Sequence, residues 1–543
     1  MARCLILEER PFDAERDTAI MAEEVLELPA LGKPFQLGTL YNANKNQIVP
    51  SMPLWDMTNT DVVVIPRISH ETNVTTTDSL ASKMQSLNIK GNLVISALAN
   101  KLEVKGSAAV LNDNKSSKTE AKIQLEARGT KEYHTISKNH LAKENLEQYH
   151  EFINQSGATH IVIGISYGYQ IFLILETTCE SEHEKLDVAG LLGLKIMSHV
   201  EGEVQGSYKT NEEKALSALK VKIHGSVRIP SNPTSLKETI EMYKRIPEFV
   251  TNNECPMTVH LLPLASVLPS LPFSCSQMNE TVLSSVTVIF DDIEESEVTL
   301  TGIQTSDLAT MEPRIRQKAK KLSAMLTKHK IWLQMKLNEI ISNPRMDTRA
   351  SKSMQIQNVV TKHKNSPFSS ERFGMYLLKM EKEERFLKNL MKMLTFEEDD
   401  GNSGGAINKH AGEGKINRIS IDILSDETDG KIPFERCKVF VLEVPIITVD
   451  DDLLEEMEKY DPDEDTESKA SMVGAWPFED EEFQWKILKC CKKLVNFART
   501  HQNGVKDEDT ESTKFRCVFT GFEKDREPSI TLYSALTGDI EPS

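Results

Sequence analysis

The 543-residue sequence predicts an α+β multidomain chain in three parts. Apolar residues alternate with a period of two in several runs between residues 61 and 229, the mark of strands. Between 275 and 395 the spacing changes to three and four, the mark of amphipathic helices. Charge divides along the same lines: the formal net charge of −18 separates into −12 for residues 1–306, +11 for 307–396 and −17 for 397–543. A single acidic coat would not partition this way. At 39 % hydrophobic residues the chain can fill real cores, which excludes a wholly disordered protein. An overall charge of −18 excludes nucleic acid as an electrostatic partner of the whole chain.

Residues 61–67, 119–136, 159–177 and 219–229 read as strands. Within the second, Ile123, Leu125 and Ala127 alternate with Lys122, Gln124 and Glu126. The apolar stretch from Ile161 to Leu175 holds 15 residues and four polar or glycine positions, too little for a membrane-spanning helix, and reads as two buried strand-like halves. Two long inserts, 76–112 and 181–218, separate the strands. A helix is expected over 234–246 and is ended by Pro247. Pro263, Pro269 and Pro272 break regular structure and mark a domain boundary.

In the second part, Val282, Val286, Ile289 and Ile293 follow helical spacing, as do Leu308, Met311, Ile315, Ala319, Leu322 and Leu326. Asn343-Pro344 supplies a stop, and another helix is expected over 374–394, giving a small bundle. Residues 397–415 are glycine-rich and aperiodic and read as a linker. The last part interleaves strands at Cys437–Val444, Lys514–Phe522 and Ile530–Ser534 with a helix near 478–500, which predicts an α/β domain. Residues 447–468 read as a solvated acidic loop.

The sequence offers no catalytic set, no metal site and no cofactor site, so no enzyme is expected. Gly412-Glu-Gly-Lys415 lacks the earlier glycine and the following Ser or Thr of a phosphate loop. Asp461-Pro-Asp463-Glu-Asp465 has Thr466 and Met472 where a calcium loop needs Gly and Glu. The eight cysteines are scattered without a C-x-x-C, and the N-terminus shows no signal-peptide core, so free thiols and a cytoplasmic protein, or one released without a signal peptide, are expected.

The inserts carry a second pattern. Leu87, Ile89, Leu93 and Ile95 alternate with Asn88, Lys90, Asn92, Val94 and Ser96, and Ile196, Val200, Val204 and Tyr208 alternate with the mainly polar run Lys195, Met197, His199, Glu201, Glu203, Gln205 and Ser207 in the second insert. Each run reaches the ~10 residues of one tilted membrane strand, with one face suited to lipid and the other to water. An ordinary half-exposed sheet or a weak helix fits the alternation as well.

The chain also resembles a family. Leu28-Pro-Ala-Leu-Gly-Lys-Pro-Phe35, Leu37-Gly-Thr-Leu-Tyr41, Ile48-Val-Pro50 and Leu54-Trp55-Asp56 resemble the opening of the stonustoxin/verrucotoxin-family subunits. Ala158-Thr-His160, Tyr167-Gly168, Thr210-Asn-Glu-Glu-Lys214, His224-Gly225 and Leu262-Pro-Leu264 continue the resemblance in order and spacing. It implies a MACPF/CDC-like bent antiparallel sheet with two helical clusters over 28–265, after an N-terminal extension of 1–27. It implies a focal-adhesion-targeting-like helical domain over 275–396 and, after the linker, a thioredoxin-like domain without C-x-x-C over 416–543. Pro528 stands where thioredoxin folds often carry a cis proline. Gly157, Thr159, His160 and Gly168 fall on the perforin-type fold signature, with Ala158 and Tyr169 replacing two of its glycines.

The implied activity is pore formation. Copies of the chain, or of the chain with a paralogous subunit, assemble on membrane lipid or a receptor and insert two β-hairpins each. The alternative is a non-lytic intracellular interaction or scaffold protein on the same fold, with a possible setting in innate defence. The family's toxins end in a PRY–SPRY domain, and this sequence stops at Ser543 without one, which favours that alternative. Complementary charge predicts that the basic helical part is held by an acidic neighbour.

Overall fold

The computed structural model describes residues 25–394, less 51–52, 56–60, 77, 101, 103–104, 114–116, 138–139, 141–142, 180–181, 202–217, 230–231, 250–253, 272–277 and 344–348. Beyond these it describes 421–425, 438–446, 452–464, 478, 480–502, 513–521, 529–534 and 540–542. The linker 397–415, Pro528, Val204 and Tyr208 lie outside the described residues. The chain forms two compact units, one of residues up to Asp291 with Ile331–Thr361, the other of Asp292–Lys330 with Lys362 onwards.

The first unit is built on one large antiparallel sheet. Its strands are β1 (Leu26–Pro29), β2 (Leu40–Asn42), β3 (Gln47–Ile48), β4 (Val62–Thr75), β5 (Glu120–Ile136), β6 (His160–Thr178), β7 (Lys220–Gly225) and β8 (Cys255–Pro263). β4, β5, β6 and β7 are successive neighbours, and β8 takes the other end of the β6 edge. β4 is twice as long as the run 61–67 suggests, because its second half, His70 to Thr75, is polar and gives no burial signal. β6 is one 19-residue strand rather than two halves. Strand β8 and its Pro263 belong to the sheet, so the proline-rich boundary starts later than expected.

Pairing in β4, β5 and β6 is interrupted at a shared level, between Pro66 and Ser69, Thr130 and Glu132, and Ser166 and Tyr167, and the β6–β8 pairing again between Val162 and Gly164. Irregularities of this kind bend and twist a sheet. Two glycines are needed there. A side chain at Gly168 would stand 2.0 Å from the Gly129 carbonyl oxygen, and one at Gly129 would meet the Tyr169 ring at 2.5 Å.

Helices lie on both faces of the sheet. In chain order these are α1 (Leu80–Ser86), α2 (Asn92–Leu98), a 3₁₀ turn (Gly106–Asn112), α3 (Lys143–Glu147), α4 (His150–Ser156), α5 (Glu182–Glu201), α6 (Leu236–Phe249) and α7 (Leu264–Val267). α6 runs past Pro247, which sits in its last turn instead of ending it. Then come α8 (Glu280–Gln304), α9 (Asp307–Met311), α10 (Pro313–Ser342), α11 (Arg349–Lys364), a π turn (Ser370–Gly374) and α12 (Met375–Leu394). Asn343-Pro344 follows the end of α10, as its stop signal requires.

The second unit also holds β9 (Ile421–Ser425), β10 (Lys438–Ile446), α13 (Asp452–Lys459), α14 (Glu481–Gln502), β11 (Thr513–Gly521), β12 (Ser529–Ser534) and β13 (Ile540–Pro542). Their sheet has the order β13-β12-β10-β11-β9, with β9, β11 and β10 parallel and β12 and β13 antiparallel. Helix α13 corrects the reading of 447–468 as a solvated loop. Its Leu453, Leu454 and Met457 share one helical face and are buried. Abundant acids on the opposite face masked that short apolar stripe.

Candidate functional site

The two inserts occupy opposite faces of the β5–β6 pair. Because side chains alternate across a strand, Ala121, Ile123, Leu125 and Ala127 face one side with Ile171, Leu173 and Leu175. Lys122, Gln124 and Glu126 face the other side, opposite Glu176, Ile174 and Phe172. Both sides are buried, the polar one included.

Helix α5, from the second insert, covers the apolar side. Val188, Leu192 and Ile196, spaced by four, enter one continuous core with β5, β6 and with Ile240, Tyr243 and Ile246 of α6. Leu186 and Leu194 on other faces of α5 remain exposed.

The first insert covers the polar side. It folds as α1, α2 and the 3₁₀ turn, and Leu87, Ile89, Leu93 and Ile95 are all buried within it. The Ser79 hydroxyl caps α1 by accepting from the Ser82 amide at 3.1 Å. Asp291 at the middle of α8 accepts from the Leu80 amide at 2.6 Å, and the Met278 amide donates to Asn92 at 3.2 Å. Gln334 of α10 donates to the Leu98 carbonyl at 3.3 Å. The helical region of the first unit therefore holds the start of α1 and both ends of α2.

Beneath it lies a ring of charge. Lys83 of α1 pairs with Asp78 at 3.0 Å and donates to the Asp113 carbonyl at 2.7 Å. Lys222 of β7 bridges Asp113 at 2.9 Å and Glu176 of β6 at 2.7 Å. Lys122 of β5 sits among Glu176, Asp113 and Asp78 at 3.2, 3.5 and 3.7 Å. His224 of β7 lies 3.7 Å from Asp113, too far for a hydrogen bond. Lys83 and Lys122 are only 2 % and 5 % exposed. Three lysines meet three carboxylates, so the ring is formally neutral, as a buried charge cluster must be.

Burial, the largest influence on Asp113, pushes its carboxyl up, but the nearby His224 and Lys222 and the Lys122 charge outweigh it and hold it well below the usual carboxylate range. Burial likewise pulls Lys222 and Lys122 down, and their carboxylate partners reverse the sign and raise both. Beside the ring, Gln170 donates to the Ser86 carbonyl at 2.9 Å and to Glu126 at 2.8 Å. A polar cleft of about 590 Å³ lies between α1 and the sheet, lined by Glu71, Asn73, Gln85, Glu126 and Arg128 among others. In the sequence Lys122 and Glu126 mark only the polar side of a strand and nothing marks the ring, since a buried lysine has no signature in a single chain.

The signature residues separate into two places. Gly157, in the left-handed conformation at the end of α4, accepts from Asn42 at 2.7 Å. The Thr159 hydroxyl donates to the Tyr41 carbonyl and accepts from the Ala43 amide. His160 is buried and bonded to Thr159 at 2.8 Å, and burial pushes its imidazole down to about 4. These three tie β2 to the start of β6, while Gly168 belongs to the irregular level of the sheet. Val200 lies in α5.

A continuous four-strand antiparallel core with a helical cluster on each face, each joining two neighbouring strands, defines a MACPF/CDC-like protein. Residues 25–241 match the family model "SNTX, MACPF/CDC-like domain" and 288–385 match "Stonustoxin helical domain". The chain belongs to the stonustoxin family, which is not a family of enzymes. It is 30 % identical to Cytolytic toxin-beta of Scorpaena plumieri over 49 % of this chain and 39 % of that one. It is 25 % identical to Verrucotoxin subunit beta of Synanceia verrucosa and 24 % to Stonustoxin subunit beta of Synanceia horrida, over 69 % of this chain and 54 % of each relative. The chain thus spans about half the length of the curated relatives it matches. The solved stonustoxin structure superposes with a TM-score of 0.64 at 16 % identity, covering 94 % of this chain and 68 % of that one. Among the described residues, no helix is long and apolar enough to cross a membrane.

Proposed function

We propose that the chain is a pore-forming protein that assembles on membranes and inserts two β-hairpins per subunit. One observation carries this reading. The first cluster joins β4 to β5 and the second joins β6 to β7, and these four strands are consecutive neighbours. Unwinding both clusters would lengthen four adjacent strands without changing their order. Closing such strands into a barrel satisfies the backbone in lipid. Leu87, Ile89, Leu93, Ile95, Ile196, Val200, Val204 and Tyr208 would then face lipid.

The partner is a second copy or a paralogous subunit, met edge to edge. Among the described residues β4 pairs only with β5 and β7 only with β6, so each offers one open edge. Val63, Val64, Ile65 and Ile68 of β4 are exposed beside that edge. The segment 416–543 acts as a thioredoxin-like packing module. Its strand order, with two parallel and two antiparallel pairings, supports that assignment, and the missing C-x-x-C makes it redox-silent. The boundaries 28–265, 275–396 and 416–543 belong to the same proposal.

Dye release from liposomes tests it, with and without cysteine locks. Thr76→Cys with Gly193→Cys is one lock, since a side chain at Gly193 lies 3.6 Å from the Thr76 methyl. Ser86→Cys with Gln170→Cys, joined by a reducible thiol-reactive spacer, is the other, because Gln170 reaches the Ser86 carbonyl only through the end of its side chain. Leakage that each closed lock abolishes and reduction restores is expected. Absence of leakage and of rings by negative-stain imaging across lipid compositions would leave the non-lytic scaffold reading in its place.

A further inference from the structure

The second unit contains a feature that pore formation does not use. Two Lys-His-Lys triplets, Lys328-His329-Lys330 on α10 and Lys362-His363-Lys364 on α11, meet through their central residues. His329 and His363 are 3 % and 2 % exposed, and Nε2 of the first lies 3.0 Å from Nδ1 of the second. One ring must donate and the other accept, so the bond requires at least one neutral imidazole. The His329 ring stacks on Phe368 at 4.8 Å, and Tyr460 closes over both at 6.0 and 5.9 Å.

Tyr460 immediately follows the acidic helix α13, which is fixed to the basic bundle by the Arg372–Glu456 and Lys321–Glu458 ion pairs. The expected charge complementarity between the basic helical part and the acidic C-terminal part is therefore present, and the histidine pair sits under it. We propose that this pair is an acid-sensitive clasp, whose protonation releases Tyr460 and α13 from the helical bundle. The inference concerns regulation and stands whether or not the chain forms pores.

The surroundings favour neutral rings. Burial, then the neighbouring His363, pushes His329 down to about 3, and burial, then Lys364, pushes His363 down to about 4. The groups nearby are mostly cationic: Lys328 and Lys330 on α10, Lys362 and Lys364 on α11. Lys330 is engaged by Glu297 of α8 at 2.8 Å. The carboxylates Asp461 and Asp463 lie near Tyr460, and burial, with their help, raises its phenol. Released imidazoles titrate near ~6.5. A folded value below the released one stabilises the packed state above that pH, and the benefit is lost as pH falls from there toward about 4. At pH 5 each histidine exposed on opening would shift the opening equilibrium about 30-fold.

Hydrogen exchange of the full chain, corrected for intrinsic pH dependence, tests this. Protection of residues 452–459 should fall at least tenfold, as an order-of-magnitude expectation, between pH 7.5 and 5, while α1 stays unchanged. In His329→Phe with His363→Leu, which keeps an aromatic ring against Phe368 and removes both titrating groups, protection should change less than about twofold. Equal loss in wild type and variant, or no loss in wild type, would overturn the proposal. Should the variant not fold, imidazole NMR of the wild-type chain decides instead. Two histidines titrating below pH 5 together with loss of α13 protection support the clasp, and both titrating near 6.5 with α13 still packed would overturn it.

Discussion

The two insert clusters sit on the same pair of strands and are held by opposite chemistry. The second cluster is fixed by Val188, Leu192 and Ile196 in a continuous apolar core. The first rests on Lys122, Glu176 and Lys222, with Asp78, Lys83 and Asp113 of its own chain completing the ring. Apolar contact is non-directional and weakens gradually as area is lost. A buried charge ring is stable only when complete, because each remaining ion loses its compensation when one partner leaves. The first cluster is therefore expected to release as a unit and the second by degrees.

The largest test of this contrast is Lys122→Met. It leaves three buried carboxylates facing two lysines and should destabilise the first unit by about 3–5 kcal/mol in urea unfolding. Lys122→Met with Glu176→Leu restores neutrality and should recover most of that loss; no recovery would mean that packing, not charge, holds the cluster. Leu192→Ala should cost about 3 kcal/mol through the cavity it leaves. Hydrogen exchange should then speed in α5 and not in α1. Gln170→Leu removes the donor shared by the Ser86 carbonyl and Glu126 and should cost about 1–3 kcal/mol, read as faster exchange in α1.

The pH response sharpens the comparison further. Asp113 is held below its ordinary range, so the ring's contribution is present above the unfolded carboxyl value of 3.8 and is lost as pH falls below it. The first cluster should therefore keep its protection from pH 7 to about 4.5. The smallest effect belongs to the half-exposed Lys321–Glu458 pair: Lys321→Ala should weaken α13 docking by about 0.5 kcal/mol, less at high salt.

How much of this was legible follows from particular residues. β5 and β6 were readable because Ile123, Leu125 and Ala127 alternate and Ile161 to Leu175 is nearly all apolar. The second half of β4 and helix α11 were not, because polar residues dominate both. The inserts carry two periods at once. Leu80, Met84 and Leu87 follow helical spacing, whereas Leu87, Ile89, Leu93 and Ile95 follow strand spacing. The alternation of the inserts expresses the second pattern, and the folded chain uses the first. The charge ring joins residues 78 to 222 and depends on strand register, which no local pattern encodes. The Lys-His-Lys triplets are visible in the sequence, but their meeting depends on how α10 and α11 pair.

A single-cysteine fluorophore scan of residues 87–95, in solution and on permeabilised vesicles, tests the central claim most directly. In solution, probes at Leu87, Ile89, Leu93, Val94 and Ile95 should report burial together, as in the helical cluster. On vesicles the signal should alternate with period two, with Leu87, Ile89, Leu93 and Ile95 in lipid and Asn88, Lys90, Asn92 and Val94 in water. A pattern on vesicles identical to that in solution, while dye escapes, would contradict conversion of this cluster into a membrane hairpin.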